Sequence, residues 1–413
     1  MIKVIYLCPE IPIPTTSGGK VAFLNHLEEV ADGADVSLKV IMVDVDGDRD
    51  NCADQLNKII GEVHVFKRNI PRIGSGVNGK IRAIVQTLCS KYPRAYFARQ
   101  NKNIHSLLLS MLEKREIDVI VADHLTSMAM IPREILTEDI PIILIEHNVE
   151  CEILRQQMKG RSFFDAIKLY YYYEYLRTKF IERKALRNAS NIVCISSYDV
   201  TGLKEAYSSL NLDDKLTHCA ELLPFKYNRW SYRTDKKILF IGSPKYFPNR
   251  DAILWLVNEL APELAKKDSD IRIVLAGCEY SSELMLNGIK AENVEFLGFV
   301  TERELQRLYC ESSLFICPIV LGSGVKIKLL EAVAYGIPLL STEEGAKGID
   351  FIPDELLFDR RNVLDCANII MNLVNSEDLL REISKNIEDG AQKALELRKN
   401  KLLALVKDVA CVQ

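Results

Sequence analysis

Apolar positions along the chain recur with two periods. Short, nearly continuous apolar runs from Ile2 to Cys8, Val36 to Val43, Val63 to Phe66, Asp118 to Ala122, Ile140 to Ile145 and Asn191 to Ile195 read as buried strands. Between them the apolar positions space out to every third or fourth residue, as in amphipathic helices. The same alternation returns after Lys237, with strands over Ile238 to Ile241, Ile271 to Ala276, Val294 to Leu297, Leu314 to Cys317 and Ile337 to Ser341, and a last short one near Leu356 to Phe358. Helical patterns cover Phe163 to Arg187, Asn362 to Leu373 and Leu379 to Leu405. Strands alternating with helices predict parallel sheets flanked by helices. The polar stretch Leu222 to Lys237 interrupts the pattern and predicts a domain boundary. The expected fold class is α/β, with a domain over 1–222 and a second over 223–376, each a doubly wound parallel sheet.

Composition narrows the classes. A length of 413 residues with 48% hydrophobic content supplies two cores. A net charge of −4 argues against a nucleic-acid binder. The 11 cysteines include no CxxC, as expected for reduced thiols in a cytoplasmic protein, and Cys8 and Cys317 sit in strand contexts as small buried hydrophobes. The apolar run MIKVIYLC is short for a signal peptide, and no run approaches the roughly 20 residues of a membrane span. Any membrane contact is then peripheral. Between Glu62 and Glu113 no acidic residue occurs, while nine basic residues from Lys67 to Lys102 do, interleaved with Tyr92, Tyr96 and Phe97. That composition suits contact with an anionic lipid surface, and equally a positive cleft rim or a solvated surface.

The densest candidate chemistry lies in CPIVLGSGVKIKLLEAVAYGIPLLSTEEGAKG, residues 317–348. A strand stops at Pro318, a loop carries Gly322, Ser323 and Gly324, and a helix is expected from about Val325 to Gly336. Lys326 and Lys328 fall in its first turn, where they oppose the helix dipole unless an anion such as a diphosphate binds. Glu331, one turn on, can accept hydrogen bonds from a ribose diol; a plain solvated helix face is the other reading of all three. Near the amino terminus Gly18 and Gly19 open a helix, but neither a P-loop nor GxGxxG is present. His124 and His147 each follow a strand end, where ligand crevices form in doubly wound sheets. The cluster Asp44-Val45-Asp46-Gly47-Asp48 reads as a solvated turn rather than a metal site.

The segment GSGVKIKLLEAVAYGIPLLST resembles the donor-binding segment of the glycosyltransferase group 1 (family 4) enzymes, retaining transferases of the GT-B fold that use nucleotide sugars, and HNVE resembles their segment after an amino-domain strand. The resemblance implies two Rossmann-like domains facing a cleft, with terminal helices 377–413 packing back toward the first. It implies His147 with Lys326 and Lys328 as catalytic residues, and a donor site of Gly18, Gly19, Gly242, Lys245, Phe299, Val300, Gly322, Ser323, Gly324, Val325 and Glu331. His124 and Asn148 fall on the acceptor side. Ser323 stands where the commonest family pattern has a first glutamate, and Ser243 and Asn249 stand near the usual phosphate clamp, so the lysine pair with Lys245 is expected to supply the charge. The implied activity is transfer of a sugar from a nucleoside diphosphate sugar to a hydroxyl of a glycan or lipid-linked acceptor, without cofactor or metal and without nucleic acid, in polysaccharide biosynthesis. An epimerase of the same fold and a catalytically idle scaffold of a polysaccharide assembly complex remain alternatives.

Overall fold

The computed structural model describes residues 1–15, 18–45, 47, 55–58, 60–69, 90–158, 166–221, 223, 225–226, 229–277, 292–322 and 324–411. They form two compact units, Met1–Ala220 with Asn400–Gln413, and Glu221–Lys399.

The first unit carries a seven-stranded parallel sheet of β1 (Ile2–Cys8), β2 (Val36–Asp44), β3 (Glu62–Lys67), β4 (Val119–Asp123), β5 (Ile142–Glu146), β6 (Asn191–Cys194) and β7 (Leu216–His218) in the order β3-β2-β1-β4-β5-β6-β7. Its central strands are buried on both faces, which is why they read as unbroken apolar runs. Its helices include α1 (Gly18–Ala31), α2 (Lys102–Glu113), α3 (Glu150–Met158), α4 (Ala166–Asn188) and α5 (Ser197–Ala206). Ser196 caps α5, its hydroxyl accepting from Tyr198 N–H at 3.1 Å. β7 is too short to show a pattern and was not expected from the sequence. The order reverses between β1 and β4, so a crevice is expected beyond their carboxyl ends.

The second unit holds β8 (Lys237–Ile241), β9 (Arg272–Ala276), β10 (Val294–Gly298), β11 (Leu314–Cys317) and β12 (Leu339–Ser341) in the order β10-β9-β8-β11-β12, all parallel. Its helices include α6 (Phe247–Trp255), α7 (Glu302–Glu311), α8 (Ile327–Tyr335), α9 (Val363–Val374) and α10 (Glu377–Arg398). A Thr301–Glu304 capping box starts α7, and left-handed Gly336 ends α8. Here the switch lies between β8 and β11, the strands that precede the loops at Gly242 and Gly322.

Several expectations are corrected. The pattern from Leu379 to Leu405 is two helices, α10 and α11 (Lys401–Cys411), because Asn400 adopts a left-handed φ of 59° between them. The helices of 377–413 therefore divide. Ser384 Oγ of α10 donates to Gly336 O at 2.6 Å within the second unit, whereas α11 lies in the first, where Leu402 N–H donates to Glu29 at 2.9 Å. Leu356 to Phe358 is a 3-10 turn and a single bridge, Ser341 to Leu357, rather than a strand. The helix expected from Phe163 is present over Ala166–Asn188, and Phe163 to Asp165 lie outside the described residues. Asp46 and Asp48 also lie outside them; Asp44 accepts from Gly47 N–H at 2.5 Å, a turn contact. No described helix is long and apolar enough to cross a membrane.

Candidate active site

At the carboxyl end of β8, the loop enters α6 through Tyr246, and Pro248 occupies the first turn, where its missing N–H costs nothing. This turn buries Asn249, whose Nδ2 donates to Ser243 O at 3.0 Å and whose Oδ1 faces the Lys328 ammonium from α8. Lys328 Nζ also lies 4.7 Å from the Phe240 ring centroid. Gly242 makes this convergence possible: a Cβ there would sit 2.8 Å from both Lys328 Nζ and Asn249 Cγ.

Among the described residues Lys328 has no ion-pairing carboxylate. Burial pushes its pKa down to about 8, and the neighbouring Lys326 charge adds to the depression. Helix α8 begins at Ile327 rather than near Val325, so Lys326 occupies the N-cap position instead of the first turn. Its side chain has no acceptor and cannot cap the helix. Instead its Nζ donates to Gly324 O at 2.7 Å and lies 3.8 Å from Glu344 Oε1. The expected pair of equivalent cations thus resolves into one lysine beside a carboxylate and one held by an amide and a ring. Gly322 and Gly324 adopt positive φ in this loop, Val325 is half-buried, and Ser323 lies outside the described residues.

Glu331 is fixed by a residue that sequence reading did not single out. The Tyr309 hydroxyl of α7, fully buried and stacked on Tyr335 with centroids 4.8 Å apart, donates to Glu331 Oε2 at 3.0 Å. Burial raises the Glu331 pKa, with the Tyr309 hydrogen bond opposing. Oε1 keeps no protein partner among the described residues, so one oxygen rather than two is open to a ligand. Phe299 is 77% exposed and so is no core side chain; Val300 is half-buried and Lys245 is exposed. No contact among the described residues joins Phe299 or Lys245 to Lys328.

In the first unit, His147 and His124 gather at the β4 and β5 ends around a buried carboxylate, Asp123. His147 Nε2 lies 2.6 Å from Asp123 Oδ1, Tyr6 O–H donates to Oδ2 at 2.5 Å, and His26 Nδ1 of α1 lies 3.3 Å from Oδ2. A carboxylate only accepts, so the His147 proton sits on Nε2 and Nδ1 is left as an acceptor. Burial lowers the His147 pKa, with Asp123 opposing, so the ring is neutral at pH 7. Burial by itself would raise Asp123, but His26 and His147 outweigh it and hold the carboxyl well below its ordinary range. His26, Asp123 and His147 are the one described group with metal-ligand spacing. Its hydrogen bonds, with that of Tyr6, already satisfy the carboxylate without an ion.

His124 has a left-handed φ of 75°. Its Nδ1 accepts from Thr126 N–H at 3.1 Å, so the proton lies on Nε2, 3.1 Å from Glu150 Oε1. Asn148 Nδ2 reaches the same Glu150 oxygen at 3.5 Å. Phe23 of α1 packs against the His147 ring at 4.9 Å between centroids, which brings the helix opened by Gly18 and Gly19 to the cluster. A Cβ on Gly19 would make only ordinary contacts, at 3.7 Å or more, so packing does not demand glycine there. Glu146, preceding His147, points to the opposite sheet face; burial and then Glu182 push its carboxyl well above the usual range.

Comparison with known proteins is consistent with this layout. Residues 235–376 match the family model of glycosyl transferases group 1. The chain has the GT-B fold, and its second unit belongs to the glycosyl transferases group 1 family. An uncharacterized 44.6 kDa protein in the cps region of Klebsiella pneumoniae is 24% identical over 407 residues, covering 97% of this chain and 98% of that one. Sucrose-phosphate synthase from Thermosynechococcus elongatus superimposes with a TM-score of 0.71 at 14% identity, covering 99% of both chains. Anabaena HepE in complex with UDP and glucose gives a TM-score of 0.63 at 14% identity, covering 100% of this chain and 99% of that one. At such identities the solved structures speak for the fold alone. The donor candidates Gly242, Lys326, Lys328 and Glu331 all lie within the matched residues.

Proposed function

We propose that this glycosyltransferase moves a hexose-type unit from a nucleoside diphosphate sugar to a hydroxyl of a glycan or lipid-linked acceptor, with retention of anomeric configuration and without a metal ion. The observation that carries the reading is Lys328: a half-buried cation with a pKa lowered to about 8, with no carboxylate at ion-pairing distance among the described residues, beside the uncapped start of α8. A cation desolvated without an anion is costly by itself, and a bound diphosphate removes that cost.

As the glycosidic bond breaks, negative charge grows on the leaving diphosphate, and Lys328 with the α8 amides stabilises it where it develops. Glu331 Oε1 accepts from a donor hydroxyl, with Tyr309 holding the other oxygen. His147 Nδ1 accepts from a hydroxyl of the transferred sugar or the acceptor. The UDP and glucose bound in HepE are compatible with such a donor.

The test is a melting-temperature screen of uridine, guanosine and adenosine diphosphate sugars, followed by product analysis. One nucleotide class is expected to raise the melting temperature by about 5 °C or more at saturation. Slow release of free sugar, accelerated transfer to acceptor and a retained anomer are the expected products. An epimerised nucleotide sugar would favour the epimerase, and no shift with any donor would leave an idle scaffold.

The charge that a divalent ion would supply is assigned to Lys328, so full activity is expected in millimolar EDTA. Loss of activity restored by Mn²⁺ would overturn the metal-independent reading.

A further inference from the structure

We infer that the outward face of α4 is a docking surface for an anionic lipid bilayer. Leu169, Tyr172, Leu176 and Phe180 are 54%, 52%, 47% and 67% exposed, and their three- and four-residue spacings put them on one face. Exposed Lys184 and Arg187 continue the same line toward the helix end. The two acidic residues of α4 face inward: Glu174 is 6% exposed and paired with Arg177, and Glu182 is 0% exposed. The exposed charge of α4 is therefore basic only, within a chain of net charge −4.

The opposite side of the helix is committed to the fold, since Ile181, Ala185 and Leu186 belong to the core of the first unit. Residues from the expected basic interval also attach to that side, Arg94 N–H donating to Glu174 at 3.3 Å and Arg177 to Ser90 O at 2.7 Å. Among the described residues the outer stripe makes no such hydrogen bond.

An apolar line running into a basic end matches a water–lipid boundary, where the apolar side chains enter the acyl edge and the cations meet phosphates. A second copy fits it poorly. Parallel pairing would place Lys184 and Arg187 against their own counterparts, and antiparallel pairing would place them against Leu169 and Tyr172. The surface deepens the lipid-linked acceptor of the proposed function but uses none of its donor chemistry, so the two fail separately.

The full chain is to be sedimented with vesicles of phosphatidylcholine alone or with roughly a third phosphatidylglycerol. The wild type is expected to bind the anionic vesicles preferentially. Leu176→Ser with Phe180→Ser is expected to lower partitioning by about 10-fold or more, and Lys184→Gln with Arg187→Gln by about 30-fold with loss of the preference. Unchanged circular dichroism and melting temperature would confirm that both variants fold, as expected for exposed sites. Equal recovery on both vesicle types, or variants that bind like the wild type, would overturn the inference. So would a concentration-dependent dimer abolished by Leu176→Ser with Phe180→Ser, which would assign the stripe to a second copy.

Discussion

Lys328→Met is expected to lower kcat/KM for transfer by about 10²- to 10³-fold, the cost of removing one group aimed at developing charge. The same variant is expected to lose the melting-temperature shift caused by the donor. Its unliganded form should nonetheless be no less stable than the wild type. The depressed pKa of Lys328 means that folding pays on the order of 1–3 kcal/mol to bury the ammonium, offset in the variant by about 1 kcal/mol for the Asn249 oxygen left without its donor.

The pH dependence separates this role from a structural one. Below about pH 8 both folded and unfolded chains carry the proton, so the burial cost is present in full. Between about 8 and the ordinary 10.5 the unfolded chain alone stays protonated, and the cost is relieved as pH rises. The stability advantage of Lys328→Met over the wild type should shrink across that window. Transfer moves the other way: kcat/KM of the wild type should fall about tenfold per unit above pH 8, as the free enzyme loses the cation that receives the diphosphate. A flat profile in the wild type, or a variant with intact donor binding, would remove Lys328 from the site.

How much of this was legible in the sequence follows from the range of the interactions concerned. Strands such as Ile2–Cys8 and Leu314–Cys317 were readable to the residue, because strands buried on both faces have no alternation to blur their ends. Lys328 and Glu331 stood out as candidates because a glycine loop and a helix start lie beside them in the chain. Tyr309 and Asp123 were not, because their contacts are made by tertiary packing across 22 and 24 residues. The only local signal for Asp123 was an acidic residue ending the apolar strand VIVAD, and for His26 a histidine on the buried face that α1 shares with Phe23 and Val30. The break at Asn400 escaped notice because the apolar spacing resumes in phase beyond it, whereas the left-handed residue that separates the helices has no periodic signature.

Asp123→Asn carries the second large expected effect, because three donors converge on the carboxylate it replaces. An amide presents one oxygen and one NH₂ group, so at least one of Tyr6, His26 and His147 would face a donor instead of an acceptor. In a fully buried position that mismatch is expected to cost about 3–5 kcal/mol, read as a large fall in melting temperature. The proton on His147 Nε2 would lose its fixed acceptor, and kcat is expected to fall by about 10²-fold or more, with a smaller change in KM for the donor, whose candidate ligands lie on the second unit.

Acid titration distinguishes the contributions. The lowered His147 pKa means that the unfolded chain takes up a proton from about 6.5 downward while the folded one resists, so wild-type stability should begin to fall there. Asp123, held below its ordinary 3.8, adds stability that is present above that value and lost as pH falls further. In Asp123→Asn the first loss should persist and the second should vanish. Tyr6→Phe, which removes one donor and leaves the His147 contact, is expected to cost only about 1 kcal/mol and to keep most of the activity. A Tyr6→Phe variant as inactive as Asp123→Asn would mean that the cluster serves the fold of the first unit and does not set the protonation of His147.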